Sequence, residues 1–128
     1  MRAWAILLVA SGVPMLAACP DGPRAPGAAA MSGAVDTSAN RGARLIAQAG
    51  CGSCHTVPGV RGADGKVAPP LMFFSRRTFI AGELPDSEDN LVRWLKDPPA
   101  VEPGTAMPNL HLTDAQARDI AAYLETLE

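Results

Sequence analysis

A chain of 128 residues has room for one small domain rather than two. Twelve Gly and twelve Pro point to a loop-rich fold, and a single Tyr with few β-branched residues argues against a sheet protein. A net charge of −2 gives no electrostatic basis for binding nucleic acid, and three cysteines leave no obvious disulfide framework.

Residues 1–18 have the layout of a signal peptide: Arg2, then an apolar stretch interrupted by Gly12 and Pro14, then the small residues Ala17 and Ala18. The stretch is short of the roughly 20 residues that a spanning helix needs. Leu16-Ala17-Ala18-Cys19 resembles the lipobox of bacterial lipoproteins, in which cleavage precedes the cysteine and its sulfur is lipidated. An ordinary cleaved signal, or an uncleaved anchor, with an incidental Cys19 is the alternative. A free thiol there would be a liability in an exported protein, which favours the lipid. Residues 19–37 then form the lipidated cysteine and a Pro-, Gly- and Ala-rich tether, with a reach of about 25 Å.

The domain proper occupies residues 38–128. A helix is expected to start near residues 37–40 and run to Gly50, with Leu45, Ile46 and Ala49 as its apolar stripe. Gly42 inside it costs about 1 kcal/mol relative to Ala, which predicts close approach of a second helix on that face. After residues 51–55 comes a loop over 57–68, containing Gly59, Gly62 and Gly65, and the rigid Pro69-Pro70-Leu71. A short helix is expected over 76–81, ended by Gly82. Ser87 has the character of an N-cap, with Glu88 and Asp89 in the first turn of a helix carrying Leu91, Val92, Trp94 and Leu95. Pro98 and Pro99 stop that helix, and 98–112 is a long loop. Thr113 and Gln116 have capping-box spacing before a last helix with Ala117, Ile120, Ala121, Leu124 and Leu127 on one face. Three or four helices with so few large apolar residues make a marginal core, which a large apolar cofactor would complete.

Cys51-Gly52-Ser53-Cys54-His55 supplies that cofactor, because C-x-x-C-H is the attachment signature of c-type haem. Two thiols separated by two residues on one helical turn can each reach a vinyl group on the same porphyrin edge. His55 then comes under the iron. A zinc site would need about four Cys or His ligands, and a thioredoxin-like pair would need a βαβ context; the chain offers neither. The other ring nitrogen of a proximal histidine is normally fixed by a carbonyl, for which Pro69 is the candidate. Met72, Met107 and His111 are the possible sixth ligands. Met72 reads as core and His111 as surface. Met107 lies in a loop stiffened by Pro103, Gly104 and Pro108, which suits presenting one side chain across a porphyrin. Trp94 is either core or a donor to a haem propionate. Arg76 and Arg77 either neutralise the same group or form a solvated face.

These residues together resemble the class I cytochromes c. The resemblance covers nearly all of residues 41–128 and rests on G-x-x-L at 42–45, CGSCH at 51–55, APPL at 68–71, TAMPNL at 105–110 and the helix containing Ile120. NLVRWLKDP and MPNLHLTDAQARDIAAYL are most similar to the cytochrome c domain fused to subunit II of bacterial haem–copper oxidases. The resemblance implies an all-helical fold with crossing first and last helices, one covalent haem c, His55 and Met107 on its iron, and Pro69 near His55. Ala68 departs from it, since that family usually has glycine there. The resemblance does not extend to the copper-binding domain and paired membrane helices of those subunits, so the chain is expected to be a stand-alone, tethered version. The expected function is a periplasmic electron carrier rather than an enzyme, held to the membrane by lipid at Cys19 and passing single electrons toward a terminal oxidase. The alternatives are a haem subunit fed by a periplasmic dehydrogenase, or a sensor or peroxidase-like protein with an open iron site.

Overall fold

The computed structural model describes residues 36–128. The expected signal peptide, Cys19 and nearly all of the expected tether lie outside the described residues. Within them the chain forms four α-helices, a short hairpin and two 3₁₀ turns: α1 is Ser38–Gln48, β1 Phe79–Ile80, β2 Leu84–Pro85, α2 Glu88–Lys96, α3 Pro98–Val101 and α4 Asp114–Leu124.

The helix starts are set by side-chain caps. Thr37 has extended backbone, and its hydroxyl accepts from the Asn40 N–H at 3.2 Å, opening α1. Ser87 does the same for Asn90 at the start of α2, where Glu88 and Asp89 occupy the positive end and Arg93 and Lys96 the negative end. Thr113 and Gln116 make a full capping box at α4, with each side chain bonded to the other's backbone N–H at 3.3 and 2.9 Å. Gly50, at φ 73°, takes the chain out of α1 in a left-handed turn that a Cβ would strain.

Helices α1 and α4 cross at Gly42. A Cβ on Gly42 would lie 2.0 Å from the Asp119 carbonyl oxygen and 2.9 Å from the Tyr123 Cβ, so only glycine allows the two backbones this close. Beside the crossing, Arg41 grips Asp119 with two parallel hydrogen bonds of 2.8 and 2.7 Å. That guanidinium holds the Asp119 carboxyl below its ordinary range. Tyr123 donates its hydroxyl to the Pro58 carbonyl, tying α4 to the loop after the cysteines. Under the crossing lies one apolar cluster with Ile46, Val57, Phe74, Ile80, Leu91, Leu95, Ile120 and Leu124 at its centre. Ile46, Leu91 and Ile120 are almost fully enclosed, each worth roughly 1.5–3 kcal/mol by burial.

Three local expectations are corrected. Residues 76–81 are not a helix: a 3₁₀ turn over Phe74–Arg76 leads directly into the antiparallel pair β1–β2, with Phe79 opposite Pro85 and Ile80 opposite Leu84. Extended backbone sends neighbouring side chains to opposite faces, which sinks Ile80 into the core while Phe79 faces water. Gly82, at φ 79°, turns the hairpin. The stretch 98–112 is not loop throughout, because Pro98 occupies the first turn of α3. Proline lacks the N–H that a first turn leaves unpaired anyway, so it ends α2 and starts α3 in one step. Leu127 is buried as expected, but beyond the end of α4.

Candidate functional site

Residues 51–55 follow Gly50 as one tight turn. The Cys54 and His55 N–H groups both donate to the Cys51 carbonyl, at 3.2 and 2.9 Å. The turn places two free, half-buried thiols three residues apart. Cys51 packs against the apolar core, and that burial pushes its thiol pKa up.

A single loop holds the turn in shape. The Gly65 N–H donates to the Gly52 carbonyl at 3.0 Å. Val67 and Ala68 donate to the Cys54 carbonyl, and Leu71 donates to that of Thr56 at 2.8 Å. The Thr56 hydroxyl returns a bond to the Gly65 carbonyl at 2.8 Å. This packing leaves no room for side chains on either glycine. A Cβ on Gly52 would lie 2.5 Å from Ala63, and one on Gly65 would lie 2.6 Å from the Ser53 and Cys54 backbone. Gly52, Gly65 and Thr56 are therefore part of the site, and the sequence reading missed them. The signal was there in Gly52 between the two cysteines, but its meaning depends on a loop that folds back onto it at Ala63 and Gly65.

The same loop orients His55. Its Nδ1 lies 2.7 Å from the Pro69 carbonyl oxygen. A carbonyl can only accept, so Nδ1 carries the proton and Nε2 is left with its lone pair free for a metal. Ala68 at the preceding position donates from its backbone N–H, which alanine does as well as glycine.

Met107 arrives from the far side of the sequence. Its N–H donates to the Thr105 hydroxyl, and the His111 N–H donates to the Asn109 side chain at 2.7 Å. These local bonds fix the loop between α3 and α4. Met107 is half-buried against the same apolar cluster that Cys51, Leu71 and Trp94 pack on. His111 is exposed, with φ 54°. Met72 is 39% exposed rather than in the core, which corrects its reading as a core residue. Trp94 lies half-buried on α2. Arg76 stacks over the Phe73 ring, while Arg77 stacks over buried Phe74 and donates to the Pro70 carbonyl.

The donor set matches a covalently held porphyrin. It comprises two thiols on one turn, an imidazole with a prepared Nε2, and a thioether on the same core. Among the described residues, no three His, Cys, Asp or Glu converge as a bare metal ion would require.

Comparison with known proteins gives the same picture. The Cytochrome c family model matches residues 39–128. Cytochrome c oxidase subunit 2 of a Bacillus species (strain PS3) is 40% identical over 82 residues, which is 61% of this chain and 23% of that protein. The proteins of the same description from Bacillus subtilis and Alkalihalophilus pseudofirmus are 34% and 32% identical, over 70% and 73% of this chain. The chain spans about a quarter of the length of these relatives, 26% and 27% in the latter two. No solved structure gives a significant match.

Proposed function

The chain belongs to the cytochrome c family, and from that premise we propose that it is a periplasmic, membrane-tethered carrier of single electrons whose destination is a terminal oxidase. The family implies a covalently bound haem c with iron. When bound, that group takes up and releases one electron at its iron. Cys51 and Cys54 would hold it through thioethers, each thiol adding its sulfur and its hydrogen across one vinyl double bond. His55 Nε2 and the Met107 sulfur would hold its iron. The observation that carries this reading is the bond from His55 to the Pro69 carbonyl, which fixes both the tautomer and the direction of the ring. Trp94, Arg76 and Arg77 are the donors proposed for the propionates.

If His55 and Met107 both held the iron, no position would be left for a substrate, which is why a carrier is favoured over an enzyme. The oxidase direction is supported by the description of the relatives as subunits of cytochrome c oxidase. A location outside the cytoplasm fits the family, and among the described residues no helix is long and apolar enough to cross a membrane.

Extraction of the purified protein with acid–acetone is expected to leave one haem on the polypeptide, because the attachment motif occurs once. Release of the haem into the organic phase would refute thioether attachment. Cys19→Ala is expected to move the protein from the membrane fraction to the soluble fraction with its spectrum unchanged. One acyl chain anchors marginally and several anchor stably. Mass spectrometry finding an unmodified Cys19 in the mature protein would sink the tether.

A further inference from the structure

Arg76 and Arg77 are neighbours in the sequence and differ in the fold. The 3₁₀ turn over Phe74–Arg76, entered through a left-handed Phe73 at φ 57°, leaves them in different surroundings. Arg76 is exposed and lies over the ring of Phe73, itself 52% exposed. Arg77 is half-buried. Its backbone N–H closes the turn on the Phe74 carbonyl at 2.9 Å, and its guanidinium lies 4.8 Å from the centre of the buried Phe74 ring. A cation seated on a core aromatic is held in place by the core. From that seat, Arg77 Nη2 donates to the Pro70 carbonyl.

That carbonyl belongs to the peptide unit next to the one that bonds His55. The Pro69 carbonyl oxygen lies 2.7 Å from His55 Nδ1. The following unit is bonded at both ends. Its carbonyl, from Pro70, accepts from Arg77, and its N–H, from Leu71, donates to the Thr56 carbonyl at 2.8 Å. Only φ and ψ of Pro70 relate the two units. The proline ring locks φ, so ψ is the one soft torsion, and the doubly bonded unit fixes it. Thr56 follows His55 directly, so the bonds form a circuit that returns to the histidine. The charge on the guanidinium strengthens its own bond and polarises the peptide, so that the Leu71 N–H donates more strongly to Thr56. Without Arg77 the second unit is held at one end only, and the Pro69 carbonyl loses its fixed bearing.

We propose that Arg77 is a positioning residue for His55. By holding the Pro70 carbonyl, it keeps the Pro69 carbonyl on Nδ1, and with it the tautomer and ring orientation that leave Nε2 for the iron. The proposal rests on His55 as an iron ligand, as in the carrier reading above. A guanidinium has five donors, so this contact leaves others for a propionate. Arg76, with its guanidinium on an exposed ring, has no part in the circuit.

The test uses the haem-loaded protein in its reduced, diamagnetic state, with isotope-labelled histidine, as wild type, Arg77→Met and Arg76→Met. Exchange of the His55 Nδ1 proton with solvent is followed by NMR, because that proton leaves only when its bond to Pro69 opens. Arg77→Met is expected to speed this exchange by about tenfold, the scale of one charge-assisted hydrogen bond. The backbone amide of Ile120, in the core, should exchange as in wild type. Arg76→Met should leave both rates unchanged. If Arg77→Met fails to load haem, Arg77→Lys takes its place. An ammonium cannot reproduce the stacked fork, so faster exchange at His55 alone is expected there too. Exchange at His55 indistinguishable from wild type in the Arg77 variant would overturn the positioning role. So would an acceleration shared by Ile120, which would mean that the whole domain had loosened, or an equal acceleration in Arg76→Met, which would reduce the effect to lost charge. A reduction potential that moves while the exchange rate stays put would also overturn it, leaving the propionate contact as Arg77's whole role. Wild-type His55 ring resonances without the ring-current shift of a haem would instead remove the ligand reading, and the proposal with it.

Discussion

Met107→Ala is expected to yield a protein that keeps its covalent haem and loses its competence as a carrier. The loop that presents Met107 is fixed by its own bonds, from the Met107 N–H to Thr105 and from the His111 N–H to Asn109, so the truncation leaves the backbone in place. What disappears is the thioether. As the proposed iron ligand it would favour Fe(II), so the reduction potential is expected to fall. Axial ligands command a range of about 0.8 V, and a drop on the order of 0.2 V is a moderate share of it. At about 59 mV per tenfold for one electron, this shifts the redox equilibrium by roughly three orders of magnitude. The weak long-wavelength band of the oxidised protein should vanish, and carbon monoxide should bind the reduced form. Met72→Ala is the control. Its side chain is 39% exposed, so the cost should fall well below the roughly 2–5 kcal/mol of a buried methionine, with the band retained. The reverse pattern would move the ligand assignment to Met72. A wild-type protein without the band, open to carbon monoxide, would favour the sensor or enzyme reading.

The second large effect is expected at Gly42→Ala. The added carbon would lie 2.0 Å from the Asp119 carbonyl oxygen and 2.7 Å from its carbonyl carbon. Both are backbone atoms of α4 and cannot rotate away. Helix propensity favours alanine by about 1 kcal/mol, but overpacking typically costs about 1–3 kcal/mol and more where the backbone must move. Here the two helices that close the domain have to separate, and the paired bonds between Arg41 and Asp119 stretch with them. A net loss of about 3 kcal/mol is expected, a large part of the roughly 5–10 kcal/mol available to a domain of this size. Thermal unfolding followed by circular dichroism should show Tm lower by about 15 °C. Gly50→Ala is the comparison, since a Cβ there meets nothing within 4 Å and only the left-handed backbone resists it. It should cost about 1–2 kcal/mol. A Gly42→Ala protein melting within a few degrees of wild type would mean that the crossing is looser than described.

What could be read from the sequence was whatever is encoded locally. Ser87, Thr113 and Gln116 act within one turn of where they stand, and the helices begin there. Gly42 announced a close approach because a glycine inside an amphipathic stripe has few other reasons to exist. The hairpin could not be read, because two residues per strand are too few to show alternation, and Gly82 serves a helix end as well as a turn. Pro98 was ambiguous in the same way, since proline both ends and begins helices. Met72 looked internal within a run of apolar neighbours, yet Phe74 alone of Met72, Phe73 and Phe74 is buried. The left-handed backbone at Phe73 decides that, and it leaves no mark on composition. Gly52 and Gly65 escaped for the opposite reason: each is defined by the other's part of the chain.

The crossing of α1 and α4 also sets an order of events in time. It joins Arg41 to Asp119 across 78 positions. Closing a loop of that length costs about 4 kcal/mol in chain entropy from length alone, before the contacts repay it. The turn at 51–55 and its loop close over a much shorter span, 14 positions from His55 to Pro69. Short-range structure forms early and long-range structure late. A newly exported chain is thus expected to present the thiol-bearing turn while the helices above it still stand apart. Cys51 is half-buried once they meet. The interval before closure is when the thiols can react, so the slowest contact in the fold also keeps the door open for loading the cofactor.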